Sequence, residues 1–198
     1  MEIELTYDKG LLRSIGSAAI SYGRREWMDT TPRALGSWPL EYQRFSSTLR
    51  AVGSIEITYR RRSSLPRTVG RWSCETSRFG GRLERIGPYE LMHDGAGRVC
   101  AVGPLEISYN RGESHPLHVQ LPGDDATLSE DLLLVLFLVL FWQQQAWDAY
   151  YGAKSTRPGT HERRPSSGGT FSDSSESRGM NRAPSAWEAA GIAGRFRR

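Results

Sequence analysis

Two histidine pairings are the first places to look for chemistry. His115 and His118 stand as His-x-x-His, with Glu113 just upstream. A metal centre needs a third protein ligand and a frame that aims both imidazoles at one point, and Pro116 denies the pair a helix. They read as loop residues, and no metal is expected. His93 beside Asp94 has the residue types of an acid–base pair. His93, however, occupies a slot that tyrosine fills elsewhere in the chain, so packing is its expected role. Glu56, Glu90 and Glu106 recur at one repeated position, and paired carboxylates can do acid–base work. Arg60 and Arg85 give them a simpler reading as cross-strand ion pairs. Cys74 and Cys100 are the only cysteines. Their spacing fits no metal motif, and two cysteines make no disulfide framework. No phosphate loop, nucleophile elbow or zinc signature is present. The expectation is a protein that is not an enzyme, with no catalytic, metal or cofactor-binding residues and no cofactor.

What the sequence does contain is a repeat. Six times a glycine is followed, six residues later, by tyrosine or a substitute. The pairs are Gly16 with Tyr22, Gly36 with Tyr42, Gly53 with Tyr59, Gly70 with Thr76, Gly87 with His93 and Gly103 with Tyr109. Successive glycines lie 20, 17, 17, 17 and 16 residues apart while the inner step is constant. A fixed core with a variable connector marks a repeated structural unit. Ile3-Glu4-Leu5-Thr6-Tyr7 reads like Ile55-Glu56-Ile57-Thr58-Tyr59, so the N-terminus supplies the second half of one more copy.

Within a unit, apolar and polar residues alternate, as in Gly53-Ile55-Ile57-Tyr59 against Ser54-Glu56-Thr58. That is the pattern of a strand with one buried face. The glycine is read as a bend or bulge, because it tolerates positive φ. Connectors such as Asp94-Gly95-Ala96-Gly97 have turn composition. One unit is either a glycine-bent strand plus a turn or a two-strand hairpin. Tyr7, Tyr22, Tyr42, Tyr59 and Tyr109 are expected on one face.

His93-Asp94-Gly95-Ala96-Gly97-Arg98 resembles the Tyr-Asp-x-x-Gly-Arg core of YD-repeat (RHS-like) proteins, and Tyr7-Asp8-Lys9-Gly10 is a shorter echo of it. The resemblance spans about residues 1–112. It implies a sheet wound from short β-units and no activity.

Residues Leu132 to Trp142 form an unbroken run of eleven apolar residues, preceded by Ser129-Glu130-Asp131. Leucine richness and the acidic start argue for a helix, placed at 129–150. Spanning a bilayer takes about 20 such residues, and a helix apolar on every side is normally buried. The arrangement is similar to tubby-like and scramblase-like domains, where a β-barrel surrounds a C-terminal apolar helix. The predicted fold is mainly β: a repetitive antiparallel sheet or partial barrel of about seven 17-residue units packed on one C-terminal apolar helix. The domain is placed at 1–151. Residues 152–198 are read as a disordered basic Ser/Gly/Arg tail.

Residues 1–150 carry 17 basic and 18 acidic side chains, so the basic pI comes from the tail. No signal peptide is read at the N-terminus, and a cytoplasmic setting is expected. The functional expectation is a non-enzymatic β-repeat scaffold or partner-binding module with an unknown protein partner and no nucleic acid. The alternative is a membrane-peripheral, lipid-associated protein that uses residues 132–142 and the basic tail.

Overall fold

The computed structural model describes residues 1–8, 10–23, 31–61, 63–78, 81–110, 115–123 and 128–155, with helical side chains through Asp148. The tail from residue 156 and Glu113 lie outside the described residues. Fifteen strands form one antiparallel sheet. The first extended segment is divided at Glu4 into β1 (Glu2–Ile3) and β2 (Leu5–Asp8). Six hairpins follow: β3 (Leu11–Ile15) with β4 (Ala18–Tyr22), β5 (Pro32–Leu35) with β6 (Trp38–Tyr42), and β7 (Leu49–Val52) with β8 (Ile55–Tyr59). Then come β9 (Pro66–Val69) with β10 (Trp72–Thr76), β11 (Leu83–Ile86) with β12 (Tyr89–His93), and β13 (Val99–Val102) with β14 (Leu105–Tyr109). Strand β15 (Pro116–Gln120) and helix α1 (Glu130–Ser155) complete the fold. The helix runs five residues past the expected end at 150.

Each unit is thus a two-strand hairpin, and the glycine is not a bend within a strand. It is the first residue of the tight turn that joins the two strands. Val52 pairs with Ile55 across Gly53-Ser54, and Val102 with Leu105 across Gly103-Pro104. The six turn glycines have φ between 53 and 56°, while the residue after each has no positive φ. Positive then negative φ is the type II′ turn, which suits the right-handed twist of paired strands. Pro88 and Pro104 fit its second position because their rings hold φ near −65°. Each glycine amide also donates to the preceding hairpin, as Gly36 does to Ala19, Gly53 to Pro39 and Gly87 to Ser73, at 2.7–2.9 Å.

The bulge lies six residues further on, where the repeat has its tyrosine. Thr58 pairs with Thr68 but Tyr59 with Pro66, so Arg67 is left unpaired opposite them. The same slip occurs at all seven junctions between hairpins. An extra residue converts two-residue alternation into a step of three. The first strand of each hairpin therefore buries residues three apart: Leu49 with Val52, Leu83 with Ile86, Val99 with Val102. The intervening Arg33, Arg50, Arg67 and Glu84 are exposed.

The ring is brought nearly to closure by a seventh, divided hairpin. Val119 pairs with Ile3 as Val52 pairs with Ile55, and Gln120 stands where the glycine would be. Met1 and Leu121 exchange backbone hydrogen bonds of 2.8 Å at this seam. Inside the sheet runs α1. Leu134, Val135, Leu136, Leu138 and Val139 have no exposed surface, and Phe137 only 1%. Leu140 is buried and Leu133 half-buried against the same core. The residues around α1 explain its all-round apolar sequence: a helix enclosed by a sheet has no wet face. Asp131 meets Arg71 of a glycine turn at 3.4 Å, whereas Gln145 donates to the Ser47 carbonyl in a tyrosine-end connector. The helix therefore passes from the glycine end to the tyrosine end.

Candidate functional site

The repeat tyrosines form a collar around the C-terminal half of the helix. Tyr22, Tyr42, Tyr59 and Tyr109 all pack against the core, on the one face expected for them. Each hydroxyl donates to the carbonyl ten residues earlier, on the first strand of its own hairpin. The acceptors are Leu12, Pro32, Leu49 and Val99, at 2.7–2.8 Å. The bulge has released these carbonyls from the ladder, and a buried carbonyl needs a partner. The second strand of each hairpin is five residues long, which keeps the six-residue step constant with or without the latch. Burial pushes the Tyr59 hydroxyl up to about 12, with the neighbouring Trp142 indole opposing the shift. Tyr109 is raised further, again by burial.

The helix reads this collar through three consecutive residues. Phe141 lies against Tyr42, with ring centroids 6.3 Å apart, and Trp142 is buried in the core against which Tyr59 packs. Gln143 donates to the Tyr109 hydroxyl at 3.0 Å and accepts from the Val99 amide at 2.9 Å. It is the one buried polar side chain of the described core. A buried amide with both ends satisfied fixes the axial position of the helix. Glutamine carries no motif, so nothing in its sequence context marks this role.

Two slots lack tyrosine. Thr76 is too short to reach across. His93 faces the same way, but its Nε2 is buried without a hydrogen-bond partner. Burial and then the Arg82 charge push its imidazole below the ordinary value, with Asp94 opposing. Asp94 is itself committed to the turn. Its carboxylate accepts from the Ala96 and Arg98 amides and from Arg98 Nε, all at 2.8–2.9 Å. Burial raises its pKa, but the Arg98 bonds and charge outweigh that and hold it below the usual range. Arg98 also stacks over Tyr109, 4.4 Å from the ring centroid. Asp8, Arg13 and Tyr22 repeat the device, with the ion pair at 2.9 Å and the guanidinium 4.9 Å from the ring.

His115 and His118 are not brought together. His115 Nε2 bonds the Gly10 carbonyl at 2.9 Å, and His118 Nδ1 bonds Glu2 at 2.6 Å. Among the described residues no cluster of metal-ligating side chains occurs. The ion pairs expected for the outward glutamates differ in detail. Arg85 faces Glu90 across the ladder and approaches Glu75 to 4.0 Å, while Arg60 reaches the Cys74 carbonyl at 3.4 Å. Cys74 and Cys100 are both free thiols, and burial pushes Cys74 up to about 11.

The sequence is divided in charge along the order of the strands. Residues 32–82, the hairpins from β5 to β10, contain ten arginines and three glutamates. Residues 83–150 contain three arginines and ten carboxylates. Near-neutrality of the whole domain conceals this division. At the tyrosine end of the basic sector, the turn after β6 carries Phe45, 95% exposed and at φ 62°, with Arg44 over its ring at 5.0 Å. No other described residue except glycine has positive φ. Such a conformation costs about 1 kcal/mol.

Residues 132–142 lie within the sheet, and no described helix is long and apolar enough to cross a membrane. No family model, curated protein or solved structure matches the chain.

Proposed function

We propose that the protein is a non-enzymatic β-repeat module that binds an acidic polypeptide partner through its basic sector. The charge division carries this reading. Three arginine-bearing hairpin edges stand side by side, with Arg33, Arg50 and Arg67 at equivalent bulge positions about 10 Å apart along the sheet. Complementary charge of this kind steers association, and an exposed aromatic at its edge supplies an anchor. Phe45 is held out at a conformational cost, which fits a contact residue better than a spacer. The two free thiols suit the reducing, cytoplasmic setting expected from the sequence.

Labelled poly-glutamate is a direct probe. The full chain should bind it at low salt and lose it as salt screens the sector. The Arg50→Glu/Arg67→Glu variant should weaken binding by about tenfold or more, while a chain ending at Ser155 should retain it. Binding that follows the tail and ignores the two arginines would refute the reading. Lipid association through residues 132–142 would instead require the sheet to release its helix, and carbonate washing of cell membranes separates the two cases.

A further inference from the structure

Besides Thr76 and His93, the collar lacks a latch at the divided hairpin. By equivalence with Tyr109 and Val99, the Tyr7 hydroxyl of the divided hairpin should latch to the Pro116 carbonyl. It has no hydrogen-bond partner among the described residues. Instead its ring meets His115 edge-on at 4.9 Å. Beside it a cleft of about 500 Å³ opens between the helix and the first hairpins. That is within the size range of small-molecule sites, roughly 300–1,000 Å³.

The lining chemistry is specific. Leu12, Ile20, Phe137, Leu140 and the Tyr22 and Phe141 rings make apolar walls. No lysine or arginine lines the cleft among the described residues, and Asp148 is the one carboxylate there. Among those described residues an anion meets no arginine or lysine. Burial raises the Tyr7 pKa, so its hydroxyl stays protonated as a donor. We infer that this cleft binds a small, uncharged aromatic molecule bearing a hydrogen-bond acceptor, with its ring between Tyr22 and Phe141 and its acceptor on the Tyr7 hydroxyl. Pro32, Ser47, Thr48 and Ser64 of the basic sector complete the lining, but Tyr7, Tyr22 and Phe141 lie outside it, so Tyr7→Phe and the arginine variants test the two readings separately.

Prodan, an uncharged naphthalene ketone whose emission reports polarity and hydrogen bonding, is a suitable probe for the full chain. Saturable one-to-one binding with blue-shifted emission is expected. Tyr7→Phe should weaken it about tenfold, the worth of one hydrogen bond, with the melting temperature unchanged. Leu11→Trp, which places a large ring in the cleft, should abolish it. Melting curves of both variants establish that they are folded; Ala146→Leu at the cleft's helical wall serves if Leu11→Trp is not. Absence of saturable binding, or equal affinity in the folded variants, overturns the inference. So does binding that emerges only when residues 156–198 are removed, because the chain itself would then be the occupant.

Discussion

Six hairpins made from continuous chain and a seventh assembled from the two ends of the domain use the same strands to different effect. In four of the six continuous hairpins the turn glycine, the bulge and the latch come as a set, while those ending in Thr76 and His93 keep the glycine and the bulge without the latch. Gly103 turns the chain, Tyr109 crosses the bulge, and its hydroxyl returns to Val99. The divided hairpin keeps the register and the bulge, as Ile3 on Val119 and Tyr109 on Pro116 show, but has neither turn glycine nor latch. Register is therefore set by packing against the core, while the turn and latch hold ends that the core does not reach. At the divided hairpin the Tyr7 hydroxyl is left beside an open cleft.

The strongest perturbation is one that both kinds of hairpin share. Leu136 is fully enclosed. Leu136→Asp should cost more than about 4 kcal/mol, a large part of a domain's roughly 5–15 kcal/mol of net stability. Loss of the cooperative thermal transition by circular dichroism is expected, and a wild-type transition would place the helix outside the core.

Glycine substitutions separate the two kinds directly. A Cβ on Gly87 would lie 2.5 Å from Trp72 Cγ, at a φ of 55°. Gly87→Ala should cost about 3 kcal/mol, from overpacking together with left-handed backbone strain. Gln120 occupies the corresponding place in the divided hairpin with no positive φ. Gln120→Ala should change stability by less than about 0.5 kcal/mol in denaturant titrations. Equal losses at both sites would erase the distinction.

The smallest effect tests the damaged latch at His93. Its folded pKa is depressed, so the folded state binds fewer protons than the unfolded chain around the ordinary value of 6.5. Stability from this group is present above that value, erodes as pH falls below it, and levels off below the folded pKa. His93→Tyr should remove this slope in melting temperature against pH and gain about 1 kcal/mol by supplying a hydroxyl for the Leu83 carbonyl. An unchanged slope would assign the acid sensitivity elsewhere.

The glycine and tyrosine positions were legible because each answers a requirement few residues meet. A type II′ turn needs positive φ, and a latch needs a hydroxyl on a long rigid arm. The enclosed helix was legible for the same reason, since no other site suits eleven apolar residues in a row. First strands were obscured: the bulge spaces Leu49 and Val52 by three, which breaks the two-residue period of a strand. Gln143 was invisible because its role depends on Val99 and Tyr109, 44 and 34 residues away. The basic sector was hidden in a total that balances, and Tyr7's spare hydroxyl follows from where the ring is divided.

The division also sets an order of events during synthesis. Glu2 leaves the ribosome long before His118, which stands 116 residues later. At about 5–20 residues per second the first strand waits roughly ten seconds for its neighbour. The helix that fills the interior emerges later still. Throughout that interval the nascent chain is a curved ribbon with two unpaired edges and an uncovered apolar face, the form in which strands most readily join the wrong neighbour.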